Sequence, residues 1–145
     1  MAKSAGEFTL NHTGNAYAKN EDDVVVAYAS YEGTATGFGT VMGTLAFPLP
    51  EQGATSGTVT WTGQGFPPDR EPSTSFGEGT WKQVDGRHAW KISMPALDVS
   101  DGTRLHTEGV VDLEAKTFNG QMFEACPIWA AALLDAGLHG QAAQL

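Results

Sequence analysis

Titratable side chains on apolar strand positions are the residues of this chain best suited to catalysis. His88 stands two positions before Trp90, and His12 ends the alternating apolar stretch 8–12. A neutral imidazole in an apolar pocket can act as a general base near neutral pH. Either ring can instead be structural, with His88 hydrogen-bonded to a neighbour such as Gln83. Both histidines are candidate site residues, and that alternative stays open.

Two carboxylates form a second candidate pair. Asp98 and Glu124 follow runs of alternating apolar residues, and the predicted hairpin registers place both at one mouth of the sheet. Their Cα atoms would lie roughly 10–13 Å apart across two strand spacings. At an apolar mouth, two such groups can divide the roles of acid and base. The alternative is that both point into solvent, for Asp98 because Pro95 can interrupt the strand before it.

The sequence predicts no cofactor. Its histidines show no His-x-His or His-x-x-x-His spacing, so we expect no metal site. The stretches 37–39 and 63–65 read Gly-Phe-Gly and Gly-Gln-Gly, but neither opens a helix after a strand, as a nucleotide-binding fingerprint would. The chain has no Gly-x-Ser-x-Gly motif, and its single cysteine, Cys126, excludes an internal disulfide.

The elements that must position these groups are strands. Glycine accounts for 18 of 145 residues, without a collagen period, and lies inside runs rich in Thr, Val, Phe and Trp. Such runs, separated by turn residues, predict an all-β domain that spans residues 1–145. The predicted strands cover residues 7–12, 24–36, 37–47, 57–66, 75–84, 87–95, 103–113 and 117–125.

Asp-Gly turns predict how the later strands pair. A two-residue hairpin at 85–86 places Trp81 opposite Trp90, and further turns follow at 101–102 and around 115–116. All three registers agree on one apolar face, which a slip of one residue would scramble. That inner face comprises Gly77, Gly79, Trp81, His88, Trp90, Ile92, Met94, Gly109, Val111, Leu113, Phe118, Gly120, Met122 and Glu124.

An antiparallel meander of about eight strands with one apolar side predicts a closed β-barrel, because closure removes the exposed sheet edges. A two-layer sandwich is the alternative. Residues 127–138 predict a short C-terminal helix, with Pro127 at its first position and Gly137 at its end. This helix would plug one barrel end or pack on a partner subunit, which would make a homodimer.

Glycines on the inner face favour a lumen wide enough for a small apolar ligand, which an eight-stranded barrel can hold. In the alternative, the glycines only allow curvature and the tryptophans fill the space beside them. The predicted ligand-binding residues are Trp61, Trp81, Trp90, Met94, Phe118, Met122 and His12.

The net charge of the chain argues against some classes of binding partner. Eight Lys and Arg against 17 Asp and Glu give a net charge of −9, which repels nucleic acids and anionic membrane surfaces. No apolar run approaches the roughly 18 residues of a membrane span, and the first fourteen residues lack the apolar core of a signal peptide. We therefore expect a cytoplasmic protein whose partner is a small hydrophobic molecule.

The triplet Gly79-Thr80-Trp81 resembles the Gly-x-Trp signature of lipocalins and other calycins, although in lipocalins the signature lies on the first strand. The resemblance implies a barrel that binds small hydrophobic molecules, with Trp81 at its wall. Small cytoplasmic barrels of the calycin or allene-oxide-cyclase type also include enzymes that fold or isomerise apolar substrates.

The leading hypothesis is therefore a barrel enzyme for an aromatic, polyketide-like or terpenoid-like metabolite. It would catalyse a cofactor-independent isomerisation, cyclisation or elimination, with proton transfer by His88 or by Glu124 with Asp98. The first alternative is a non-catalytic, lipocalin-like carrier or sensor of a small apolar ligand. The second is an interaction module that assembles through the C-terminal helix.

Overall fold

The structure, a computed structural model, describes residues 3–125. Eight strands follow one another in a closed antiparallel ring in which β1 also pairs with β8. Closure confirms the predicted all-β, eight-stranded barrel, and the sandwich alternative is wrong. The strands are β1 (Ser4–Lys19), β2 (Val25–Ala35), β3 (Gly39–Pro48), β4 (Ser56–Phe66), β5 (Ser73–Gln83), β6 (Ala89–Val99), β7 (Arg104–Asp112) and β8 (Thr117–Glu124).

Residues 126–145, and with them the predicted helix 127–138 and Cys126, lie outside the described part of the chain. In the part that is described, no helix has the length and apolar character needed to cross a membrane.

The loops divide between two ends of the barrel. The upper end, as we define it, carries the loops 20–24, 49–55, 84–88 and 113–116. The lower end carries the loops 36–38, 67–72 and 100–103, together with the start of β1 and the end of β8.

Alternation of side chains decides what each strand buries, and β4 shows it clearly. Val59 and Trp61 are 1% and 6% exposed, whereas Thr58 and Thr62, the outward residues beside them, are exposed. β-Branched and aromatic residues suit such a half-buried pleated surface. Each strand therefore contributes an apolar row to the lumen and a polar row to solvent.

Aromatic side chains fill the lumen at mid-height. The Phe118 ring centroid lies 4.9 Å from that of Phe8, 5.6 Å from that of Tyr31 and 6.3 Å from that of Trp61. Trp61 Nε1 donates a hydrogen bond to Ser75 Oγ at 2.9 Å, so its one polar atom is satisfied. We call these four aromatic residues the middle layer. Leu45, Val59 and Ile92, all at most 1% exposed, complete the packing.

Two glycines make room for the largest ring of the middle layer. A Cβ atom added to Gly63 would lie 2.6 Å from Trp61 Cζ2, and a Cβ atom on Gly43 would also overlap that ring. At this height, the alternative interpretation of the inward glycines is therefore correct, because the space they leave is taken by the protein's own tryptophan.

The loop that connects β5 and β6 is longer than predicted. Trp81 pairs with Ile92 rather than Trp90, which shifts the register by two residues. Gly86 has a positive φ, but Asp85 does not, so the predicted type I′ turn, which needs both, does not form.

The following two hairpins shift by the same amount. Ile92 lies opposite Gly109, and Val111 lies opposite Phe118, where the sequence predicted Val111 and Gly120. Because a shift of two residues returns every side chain to its own face, the predicted inner face survives along most of these strands.

We expect Gly79→Ala to destabilise the barrel, because the added Cβ would overlap the Ser93 carbonyl oxygen and lie 2.8 Å from Met94 Cγ. The backbone cannot move aside as a flexible side chain can. Urea unfolding should therefore show that the free energy of unfolding falls by about 1–3 kcal/mol. Gly14→Ala is the matched control: no heavy atom lies within 4 Å of its Cβ, and its effect should stay within about 0.5 kcal/mol. Equal effects of the two substitutions would contradict this account of the packing.

Candidate functional site

The upper end of the barrel opens into a cavity of about 830 Å³. Tyr31 of the middle layer lines it, together with residues from the upper ends of the strands and residues 49–54 of the loop after β3. Ala27, Ala29 and Gly57 line the sides, so small residues leave the space that larger side chains fill below. The volume falls within the roughly 300–1,000 Å³ typical of ligand pockets. This cavity is the candidate site.

Aromatic residues form one wall of the upper cavity. Trp81 on β5 is 7% exposed, and Trp90 on β6 is partly buried beside it. Phe47 on β3 also lines the cavity. Together these side chains offer flat apolar surfaces of the kind against which a planar ligand packs.

The opposite wall is polar. In an eight-membered ring of strands, β1 stands diametrically across from β5. On β1, His12 Nε2 lies 2.5 Å from Asn15 Oδ1, and Asn15 Nδ2 donates to the Tyr17 hydroxyl at 3.0 Å. In this arrangement Nε2 carries the imidazole proton, which leaves Nδ1 of neutral His12 as an acceptor. The network holds a basic nitrogen on a wall of the cavity.

Tyr31 stands at the base of the polar wall. Its ring centroid lies 5.4 Å from that of His12, and its side chain lines the cavity. Burial raises the pKa of Tyr31 to about 12, because the phenolate would be poorly solvated there. Among residues 3–125 its hydroxyl has no hydrogen-bond partner. Tyr31 therefore supplies a neutral hydroxyl that is free to bond a ligand.

Trp81 also carries a buried donor. Its Nε1 has no acceptor in the described part of the chain. A Cβ atom added to Gly57 would lie 2.6 Å from this nitrogen, so the indole edge rests over the glycine backbone. A buried donor without an acceptor costs about 1–3 kcal/mol. Glycine at position 57 gives the indole edge the room to lie there, because any larger residue would overlap it.

The predicted ligand-binding residues divide between two places. His12, Trp81 and Trp90 line the upper cavity. The other four, Trp61, Met94, Phe118 and Met122, line a cavity of about 70 Å³ below the middle layer, which is too small for a metabolite.

The prediction that His88 faces the lumen is wrong. His88 is exposed in the loop between β5 and β6, because that loop, residues 84–88, contains five residues rather than the predicted two. The Gln83 side chain donates to the Arg87 carbonyl oxygen at 2.9 Å and not to the imidazole. His88 contributes only its own carbonyl oxygen, which accepts from the Leu113 backbone at 3.0 Å.

Asp98 also lies away from the lumen, contrary to prediction. A bulge between Met94 and Leu97 moves the alternation of β6 by one residue, so Leu97 and Val99 pack inward instead. Asp98 Oδ1 and Oδ2 accept hydrogen bonds from Arg104 at 2.5 and 3.0 Å. A bidentate ion pair of this kind holds the carboxylate on the barrel wall.

Glu124 ends β8 at the lower mouth. Its side chain is 58% exposed and lies 4.0 Å from the Lys3 ammonium. The prediction that Asp98 and Glu124 share one end is confirmed, but only Glu124 keeps the inward register. Both carboxylates are therefore at the end opposite the upper cavity, separated from it by the middle layer.

The residues at the upper cavity that were not predicted as site residues include three polar ones, Asn15, Tyr31 and Lys116. Tyr31 continues the alternation of Ala27 and Ala29, so the pattern within β2 could have identified it. Lys116 lies in a turn and offers no such signal, because only closure between β8 and β1 brings it to the cavity.

Within residues 3–125, no group of three or more His, Cys, Asp or Glu side chains is arranged to hold a metal ion. Comparison of the chain with protein-family models, curated proteins and solved structures gives no match. The geometry defines a closed eight-stranded antiparallel barrel, compatible with the architecture of lipocalins and calycins.

The Tyr31 hydroxyl should make the free energy of unfolding fall as pH rises in the alkaline range. Between pH 10 and about 12, the unfolded chain releases this proton while the folded protein retains it, so unfolding becomes easier as pH rises. The loss should approach about 2–3 kcal/mol near pH 12 and be absent below the ordinary tyrosine pKa. Urea unfolding at several pH values measures it, with Tyr31→Phe as the control that lacks the effect. If the free energy of unfolding falls equally with pH in both proteins, the raised pKa does not belong to Tyr31.

Proposed function

We propose that the upper cavity binds one small, largely apolar molecule with an aromatic part, and that the protein is its carrier or sensor. The observation that carries the proposal is the cavity of about 830 Å³ between the Trp81–Trp90 wall and the polar wall of β1. A barrel whose lumen served only as a core would be filled at this height too.

The rim of the upper cavity supports binding. Tyr17, Leu49 and Leu113 line it and remain 63%, 45% and 47% exposed. Clustered exposed apolar side chains on a soluble protein mark an interaction surface or the entrance to a ligand site. Here they surround the opening, where an apolar molecule would pass from water into the cavity.

The positions of the predicted acid–base residues favour a carrier over the enzyme that the sequence predicted. His88 is in an exposed loop, and Asp98 and Glu124 are at the lower end. None of the three lines the upper cavity. A ligand bound there would not meet the groups to which proton transfer was assigned.

Blocking the cavity tests the binding proposal. Ala27 lies on the inner face of β2 and lines the cavity, whereas Ala46 on β3 lies on the outer face. The neutral dye N-phenyl-1-naphthylamine should bind wild-type protein one to one and quench tryptophan fluorescence. Ala27→Trp should weaken this binding at least tenfold, and Ala46→Trp should leave it unchanged. Unsaturable binding, or equal loss in both variants, would count against the site.

A second candidate function is a cofactor-independent isomerase, cyclase or lyase that uses His12 as its base. The observation that favours it is the imidazole Nδ1, left available by the Asn15 hydrogen bond, beside the Tyr31 hydroxyl. A base and a neutral proton donor on one wall are the minimum for moving a proton within a bound substrate.

Mass spectrometry separates the two candidates. Substoichiometric protein is incubated with a small-molecule extract of the organism that encodes it. For a carrier, one compound is depleted in proportion to protein and is recovered intact after denaturation. For an enzyme, one compound is consumed catalytically and another forms, and His12→Gln slows that turnover at least tenfold. The cytoplasmic location and the exclusion of nucleic-acid and membrane partners remain predictions from composition and charge.

A further inference from the structure

Lys116 stands on the rim of the upper cavity, next to its polar wall. It occupies the turn between β7 and β8 with a φ of 58°, and its carbonyl oxygen accepts the His12 backbone N–H at 2.8 Å. This bond ties the turn to β1 just beyond the point where the β1–β8 ladder ends. The lysine is therefore held beside His12 by the backbone.

The Lys116 ammonium has no counter-ion within residues 3–125. By contrast, Lys19 pairs with Asp23 at 3.7 Å and Arg87 pairs with Asp112 at 3.5 Å. In a chain of net charge −9, an unpaired cation that lines an apolar cavity is therefore notable.

The acidic groups of the cavity do not neutralise this lysine. Asp112 Oδ1 accepts the Ala115 backbone N–H at 3.1 Å, and Oδ2 faces Arg87. Glu51 belongs to the loop after β3, whereas Lys116 lies beside β1 and β8. The β1 side of the mouth thus presents a positive charge and, in Tyr31, a neutral hydroxyl.

We propose that the ligand of the upper cavity is an aromatic anion, whose ring packs against Trp81 and Trp90 and whose acidic group binds Lys116. The inference rests on the proposed binding function and adds the charge of the ligand. A carboxylate or sulfonate suits the position, because a charge-assisted hydrogen bond to an ammonium is stronger than a neutral one.

Two dyes that differ by one acidic group test the proposal. The anionic probe is 8-anilino-1-naphthalenesulfonate, and N-phenyl-1-naphthylamine is the same skeleton without the sulfonate. Lys116→Gln should weaken binding of the anionic dye about five- to tenfold and leave the neutral dye within twofold. Lys116→Arg, which keeps the charge, should restore most of the loss.

Lys82→Gln is the matched control for net charge. Lys82 is also unpaired in the described part of the chain but is an exposed outward residue of β5, so this variant should leave the dissociation constants of both dyes unchanged. If the two lysine variants affect the anionic dye equally, a general charge effect replaces the proposed contact. If Lys116→Gln changes the dissociation constant of neither dye, or of both dyes alike, the anion proposal fails although the cavity still binds the dyes. If neither dye binds saturably to wild-type protein, the binding function itself fails.

Discussion

Closure of eight strands into one ring is the constraint on which the rest of this structure depends. Eight strands set the diameter of the barrel, so the size of the inward side chains at each height decides whether the lumen is filled or open there. At mid-height, Trp61 and Phe118 fill it, and Trp61 does so because Gly43 and Gly63 yield the space. The resulting layer seals the barrel and separates a small lower cavity from a large upper one. Glycine therefore serves the core here, rather than opening a channel along the whole lumen.

The same ring gives the upper cavity its asymmetry. Strands on opposite sides of the barrel contribute different chemistry, with indole rings on β5 and β6 and a hydrogen-bonded polar row on β1. Closure then adds the β7–β8 turn to the polar side, because β8 pairs with β1. A site with one flat apolar wall and one polar wall favours a ligand that is itself two-sided. Small residues, among them Ala27 and Ala29, leave that ligand room.

Errors in the predicted pairing had unequal consequences. The three later hairpins were each misplaced by two residues, and Trp81, Ile92 and Met122 still face inward, because the alternation repeats every second residue. The bulge in β6 displaced the alternation by one, which turned Asp98 from the lumen to Arg104. The longer β5–β6 loop removed His88 from the strand altogether. The parity of the alternation and the length of one loop, rather than the exact pairing partners, thus decided which predicted site residues face the lumen.

The sequence by itself determined the all-β class, the eight strands and the inward rows, because alternation and turn residues are local properties of the chain. It also indicated an apolar lumen with Trp81, Trp90 and His12 on its wall. Only the tertiary structure decided which part of that lumen is open, because filling depends on which side chains meet across the ring. It alone brought Lys116 beside His12 at the rim of the cavity, since the two residues are far apart in sequence and meet only when β8 closes on β1.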